Sequence, residues 1–422
     1  MFASILLLLG GLGTFLIGLK MMGDNLQNIA GDRLKLLFNK VSNNKFMGIA
    51  TGAGITAVIQ SSSATTVMIV GFVNAGMMTL KQATSIIMGA NIGTTITAQI
   101  AALSAFPITT YIQGFVFVGV MMAMLCKNEN WKKTGMIIAG LGLVFIGLAV
   151  MSDSMSGNKD AIQKIFAVVK NPFLLFFIGI FLTALVQSSS ATTSIIIAMS
   201  VAGLTIGTGG NEVLYIILGT NIGSCVTALM SSLGGSANAK RTGLIHLMFN
   251  TFGSIIFFII LICWPSFMSL TFQKWFPSMA TQIAMFHTFF NVLCTLMFLP
   301  FSKLFVKAAE FLVKDKKKEK ETTYLDERMI SSPMLAIAQV EKEMMRLSDR
   351  AMGAFRDAFQ AFLTKDVSKI SAIQKTVESM SGYNKEIINF IINVSANCNI
   401  AEEKRVSDLH TNLDDIFRIA EH

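Results

Sequence analysis

Seven residues in a row occur twice in this chain: Gln60-Ser61-Ser62-Ser63-Ala64-Thr65-Thr66 returns unchanged as Gln187-Ser188-Ser189-Ser190-Ala191-Thr192-Thr193. Each copy carries one amide, five hydroxyls and no ionisable group, so its chemistry is that of neutral hydrogen-bond donors and hard oxygen acceptors. An apolar segment of helix length follows each copy (64–73 and 191–202), which leaves the serines around a helix N-terminus. There, unpaired backbone N–H groups and the positive end of the helix dipole favour an anion. Two such tips facing each other would surround a compact tetrahedral oxyanion, while their hydroxyl and carbonyl oxygens suit a sodium ion. The first basic residue after the first copy is Lys81, at the exit of its apolar run. A multiply charged anion would therefore lack a local countercharge, and bound cations would supply it, which is a physical reason for cotransport.

Other polar residues have simpler readings. Asn91 and Asn221 sit at matching depth in the helices that follow, either as ligands of an anion or cation or as interhelical hydrogen-bond glue beside Gly89 and Gly93. His246 and Asn250, like His287 and Asn291, share the spacing H-x-x-F-N, one helical turn, and a structural hydrogen bond is favoured over a proton relay. Asp24 and Asp153 are read as solvated caps at helix ends, and the 27 methionines as packing or lipid-facing residues. Enzyme chemistry is excluded from the membrane part: it has no pair of acids, Cys/His arrangement or nucleotide loop, and nucleophilic serines would need a base.

The elements that must position the tips are membrane segments. The chain of 422 residues is 53% hydrophobic and 14% charged, against about 25% charged in an ordinary soluble domain. Residues 1–300 hold 15 Lys/Arg and 6 Asp/Glu, and the remaining 122 residues hold 19 of each, so a membrane part precedes a soluble part. Crossing a hydrocarbon core of about 30 Å takes about 20 helical residues. The charge-free runs Phe46–Leu80 and Pro172–Asn211, of 35 and 40 residues, are too long for one crossing, and each is interrupted by Gln-Ser-Ser-Ser. Each is expected to enter, break and return as a re-entrant hairpin; a break at membrane depth is tolerated only when buried in protein or lining a polar cavity. Full crossings are expected at 2–22, 83–103, 107–126, 134–152, 212–231, 243–264 and 280–302, the first being a transmembrane helix rather than a removed signal peptide.

The motif belongs to a longer duplication. Gly89-Ala90-Asn91-Ile92-Gly93 matches Gly219-Thr220-Asn221-Ile222-Gly223, and Gly11-x-Gly13 with Ile17-Gly18-Leu19 matches Gly140-x-Gly142 with Ile146-Gly147-Leu148. Residues 1–126 thus recur in 131–264, with three crossings and one hairpin each. An odd number of crossings inverts the second copy, the arrangement of many secondary transporters. With the C-terminus cytoplasmic and the N-terminus outside, 11 Lys/Arg of the links lie inside and 4 (Lys159, Lys164, Lys170 and Lys274) outside, which fits the positive-inside rule. The net charge of +9 is thereby topology information and not a nucleic-acid footprint. The five cysteines show no disulfide or metal-site spacing.

Residues 1–305 resemble the type II sodium/phosphate cotransporter family, whose hallmark is the paired Q-S-S-S motif in inverted repeats. The resemblance implies phosphate held by Gln60, Ser61, Ser62, Ser63, Gln187, Ser188, Ser189 and Ser190, with Thr65, Thr66, Asn91, Thr192, Thr193 and Asn221 as candidate phosphate or sodium ligands. Sodium enters as a coupling ion; no cofactor or transition metal is implied. The link Lys127–Lys133 lacks the large cysteine-bearing loop of the animal members, and the chain is closer to the bacterial branch with a PhoU-like tail. Heptad-like apolar spacing in Met334–Phe362, Val367–Val394 and Val406–Ile419 indicates a three-helix bundle over 327–422, about half of a complete PhoU fold, after a charged linker at 306–326. The expected architecture is an all-α polytopic protein: two inverted repeats with re-entrant hairpins, an extra helix at 280–302 and a soluble helical tail. The expected function is sodium-coupled phosphate symport across the bacterial plasma membrane. Phosphate export and a membrane-bound phosphate sensor stand as alternatives, and a homo-oligomer or signalling partner through the tail is left open.

Overall fold

The computed structural model describes residues 2–39, 44–107, 109–157, 159–314, 324–330, 332–398 and 400–421; Lys40 and the charged stretch 315–323 lie outside them. Every regular element among the described residues is a helix. The chain divides into two compact units, Met1–Val70 with Thr79–Asp315 and Gly71–Met78 with Lys316–His422.

In the first unit α1 (Phe2–Asn39) is followed by a broken pair, α2 (Lys45–Ile59) and α3 (Ser62–Asn74), and then by α4 (Leu80–Gly93) and α5 (Thr95–Ala102). After the short α6 (Thr109–Gln113) and α7 (Phe115–Leu125), the same order returns. It runs α8 (Glu129–Ser156), α9 (Lys159–Val168), the broken pair α10 (Pro172–Val186) and α11 (Ser189–Val201), then α12 (Glu212–Gly223) and α13 (Cys225–Ser232). The long α14 (Ala237–Cys263), the single turns α15 (Phe267–Leu270) and α16 (Phe272–Trp275), then α17 (Met279–Phe298) and α18 (Ser302–Leu312) complete it.

Six helices among the described residues are long and apolar enough to cross a membrane: Phe2–Ala30, Leu80–Ala105, Glu129–Ser156, Glu212–Ser232, Ala237–Cys263 and Met279–Phe298. The seventh expected crossing, 107–126, breaks at Gly114, leaving the apolar stretch Tyr111–Leu125. Fifteen residues rise about 22 Å, short of the hydrocarbon thickness. Asp24 does not cap a helix end, because α1 continues without interruption to Asn39; Asp153 does lie in the last turn of α8.

Glycines set the packing. A Cβ on Gly18 would lie 2.7 Å from the Gly140 carbonyl oxygen, and one on Gly11 2.9 Å from that of Gly147. As α1 ascends from 11 to 18 its contacts on α8 descend from 147 to 140, so the two helices are antiparallel and touch through reciprocal, sequence-equivalent positions. The entering helix of each hairpin is held the same way: a Cβ on Gly89 would meet the Ile49 carbonyl oxygen at 2.0 Å, and one on Gly219 that of Phe176 at 2.2 Å.

The partner of α4 and α5 differs from expectation. Thr295 of α17 donates to the Met88 carbonyl at 3.3 Å, just as Ser254 of α14 donates to the Leu218 carbonyl at 3.0 Å. Thus α17, not the 107–126 segment, stands on the first repeat as α14 stands on the second. The segment α7 packs instead along α8 through Gly119 and Gly135.

The second unit is a bundle of α19 (Pro333–Thr364), α20 (Ile370–Ser395) and α21 (Ile400–Glu421). Its core joins Val340, Met344 and Leu347 to Ile387, Phe390 and Leu413, the apolar seam of each helix at heptad spacing. Residues 71–78, which close α3 and the turn after it, belong to this second unit: Lys342 donates to the Ala75 carbonyl, and a Cβ on Gly71 would lie 2.9 Å from Met329 Sδ.

Candidate functional site

Both long apolar runs break at the glutamine of the motif. Gln60 (φ 58°, ψ 22°) and Gln187 (φ 57°, ψ 24°) adopt the left-handed conformation, two of three non-glycine residues among those described that do so. Their N–H groups close the incoming helices on the carbonyls of Thr56 (2.8 Å) and Thr183 (2.7 Å). A left-handed L-residue costs on the order of 1 kcal/mol, a strain held here by the rigid helices on either side.

The next residue starts the outgoing helix. Ser61 Oγ accepts from the Ala64 N–H and Ser188 Oγ from the Ala191 N–H, both at 3.1 Å, so the first serine of each motif is an N-cap. The second and third serines fill the first helical turn, whose N–H groups have no carbonyl a turn earlier to bond. Sequence reasoning placed the serines there because the apolar period resumes just after them.

The two tips meet. Ser63 Oγ donates to the Gln187 carbonyl at 3.3 Å, and Ser190 Oγ lies 3.3 Å from Thr94 Oγ1. Gln60, Ser62, Thr65, Thr66, Ser189, Ser190, Thr192 and Thr193 are all buried. The threonines brace their own helices: Thr65 and Thr192 hydroxyls donate to the carbonyls of Ser61 and Ser188 at 3.0 and 3.2 Å. No charged residue lies between Phe46 and Leu80 or between Pro172 and Asn211, so the tips present neutral dipoles only.

Asn91 and Asn221 occupy matching places in the two repeats. Each is buried and donates its amide to the carbonyl one turn back, Ile87 at 3.0 Å and Ile217 at 2.9 Å. The groups that reach the tips from α4–α5 are Thr94 and Thr97, the latter donating to Gln60 Oε1 at 3.0 Å. Sequence reasoning passed over both; their recurrence as Ser224 and Thr227 at the same offset as Asn91 and Asn221 was the available signal. In the H-x-x-F-N pairs the expected structural bond is made by the asparagine: Asn250 and Asn291 amides donate to the carbonyls of His246 and His287 at 3.0 and 2.8 Å.

The family model of the Na+/Pi-cotransporter matches this chain twice, over residues 14–153 and 155–297, with one broken helix pair in each match. The uncharacterized protein YqeW of Bacillus subtilis is 28% identical over 302 residues, covering 71% of this chain and 95% of that protein. A putative inorganic phosphate export protein, YjbB, of Escherichia coli is 26% identical over 352 residues, covering 82% of this chain and 63% of that longer protein. The sodium-dependent phosphate transport protein 2A of Rattus norvegicus is 32% identical over 177 residues, 40% of this chain and 26% of that protein. No solved structure matches. Two family matches, each containing one broken helix pair, together span about two thirds of the sequence: the chain belongs to the Na+/Pi-cotransporter family, as a multi-pass membrane transporter and not an enzyme.

Proposed function

We propose that the chain moves inorganic phosphate across the bacterial plasma membrane together with sodium, by alternating access at the paired tips. The observation that carries this reading is the Ser63–Gln187 bond of 3.3 Å, because it brings two helix N-termini and six serines to one uncharged place. Phosphate would be held by Gln60, Ser61, Ser62 and Ser63 of one tip and Gln187, Ser188, Ser189 and Ser190 of the other. Thr65, Thr66, Thr192 and Thr193 border them, and with Asn91 and Asn221 are the candidates for additional phosphate or sodium contacts. An ion pair 4 Å apart at an effective dielectric of 20 gains about 4 kcal/mol, so sodium beside the anion replaces the missing basic side chain.

The repeats are proposed to be inverted, with the N-terminus outside and the C-terminus cytoplasmic. Support comes from the antiparallel, reciprocal crossing of α1 and α8; with one full span, α4–α5, between them, the inverted reading has the shorter apolar stretch Tyr111–Leu125 return the chain to the other side. The PhoU-like tail is proposed as a cytoplasmic domain.

Isothermal calorimetry of phosphate binding to purified protein in sodium chloride and in choline chloride at equal ionic strength tests the coupling. Tight binding is expected in sodium only, and linkage requires phosphate to raise sodium affinity by the same factor. Equal affinity in both salts removes the cotransport mechanism. The name of the Escherichia coli relative favours export as the second reading. Labelled phosphate flux in proteoliposomes under imposed sodium gradients of either direction decides between import and export.

A further inference from the structure

The two tips have the same residues and do not make the same bonds. In the first repeat Thr97 Oγ1 donates to Gln60 Oε1 at 3.0 Å, while Gln60 Nε2 donates to the Ala57 carbonyl at 2.5 Å. Thr56 Oγ1 donates to Thr65 Oγ1 at 3.1 Å, and Thr66 Oγ1 to the Ser62 carbonyl at 2.8 Å. The donor hydroxyls that correspond in the second repeat belong to Thr227, Thr183 and Thr193. All three are buried without a hydrogen-bond partner among the described residues. Gln60 is 7% exposed, whereas Gln187 is exposed.

The bonding groups themselves are the same in both copies: the seven-residue motifs are identical, Thr56-Ala57 recurs as Thr183-Ala184 and Thr97-Ala98 recurs as Thr227-Ala228. The break itself is not the cause, since the glutamine dihedral angles agree within about 2° and both serine N-caps measure 3.1 Å. The difference is one of conformation: the first tip is latched and the second is not. Three buried hydroxyls lacking partners favour any movement that supplies them, and Gln187 carries the amide oxygen that would serve Thr227. Ser63 ties the Gln187 carbonyl to the first tip at 3.3 Å, so drawing Gln187 inward disturbs that tip.

We propose that Thr97 and Thr227 are paired positioning residues, each holding the glutamine of its own repeat, and that the two latches exchange as the carrier turns. Closing Thr227 on Gln187 accompanies release of Gln60 from Thr97. This rests on the alternating-access reading above and specifies which bonds alternate.

The test uses the full chain in lipid nanodiscs, without phosphate, and reads hydrogen exchange in peptides spanning residues 56–66 and 183–193. Thr97→Val removes the hydroxyl at nearly constant shape and Thr97→Ser restores it; Thr227→Val and Thr227→Ser form the matching pair. Thr97→Val is expected to raise exchange several-fold at the first tip and lower it at the second, Thr227→Val to lower it at the first, and both serine variants to match the parent. Faster exchange confined to the mutated tip, with no reciprocal change at the other, overturns the proposal and leaves Thr97 a local support. Should Thr97→Val misfold, Thr227→Val alone carries the test, because its expected effect lies in the other repeat. A reciprocal shift in a protein that neither binds nor moves phosphate keeps the latch and removes the substrate assignment.

Discussion

The hydroxyl of Ser63 and the main-chain carbonyl of Gln187, 124 residues apart, are joined by a hydrogen bond of 3.3 Å across the two repeats. Ser63→Ala deletes that bond and is expected to weaken phosphate binding by about 0.5–1.5 kcal/mol. Ser62→Ala or Ser189→Ala, which remove a buried donor at the proposed phosphate site, are expected to cost about 1–3 kcal/mol, with Met78→Ala as the neutral control. Calorimetric affinities indistinguishable from the parent in Ser62→Ala and Ser189→Ala would exclude these serines from the site.

Gly89 and Gly219 admit no side chain, since a Cβ would sit 2.0 and 2.2 Å from backbone oxygens of the hairpin helices. Gly89→Ala and Gly219→Ala are expected to destabilise the protein by about 1–3 kcal/mol through overpacking. Gly54→Ala, where a Cβ meets nothing within 4 Å, is the control. Thermal unfolding in detergent checks this; equal melting temperatures for all three variants would show that neither the α2–α4 nor the α10–α12 contact is close.

Substituting glycine at the left-handed positions separates strain from function. Gln187→Gly relieves about 1 kcal/mol of backbone strain and loses no side-chain bond seen here, so its melting temperature should hold or rise while transport falls. Gln60→Gly gains the same relief but forfeits the bonds to Thr97 and Ala57, so it should be the less stable of the two. The reverse order of melting temperatures contradicts the asymmetry of the tips.

Orientation is open to chemical labelling. A cysteine at Ser156, at the end of α8, should react with an impermeant thiol reagent from outside, and one at Asn238, in the first turn of α14, from inside only. Reaction of both from one side breaks the inverted arrangement.

In the tail, burial raises the carboxyl of Glu343 above the ordinary glutamate range, against the opposing pull of the Tyr324 N–H and Arg346. A folded value above the unfolded one contributes stability that is full below the unfolded pKa and is lost as pH rises through the folded value. After correction for intrinsic rates, hydrogen exchange of α19 near residue 343 should therefore quicken as pH climbs from the acid range. Glu343→Gln should flatten that profile; an unchanged profile in the variant would assign the dependence to another group.

Much of this molecule is legible before any coordinates. Seven identical residues inside two charge-free runs define the breaks, and Ala64 and Ala191 resume an apolar period that fixes the serines at helix starts. Lateral partnership is not written in periodicity. Nothing in the 107–126 run distinguishes it from a repeat member, yet α17 occupies its expected place, and the shared H-x-x-F-N of α14 and α17 was the only hint. The role of Thr97 is less legible: its recurrence as Thr227 marks it as part of the repeat, but only the hydroxyl on Gln60 shows what it holds. The extension of α1 past Asp24 was missed because hydropathy falls there while helical geometry continues.

The runs Phe46–Leu80 and Pro172–Asn211 contain no charged residue at all. A membrane potential does work of about 2.3 kcal/mol per 100 mV on each elementary charge that moves through it, and none on a neutral element. On the alternating-access reading, the hairpins would therefore carry no side-chain charge of their own through the field. If the tips carry sodium and phosphate as proposed, the charge that crosses with them is that of the bound ions, so the stoichiometry of sodium to phosphate sets how strongly the cell's potential drives the cycle.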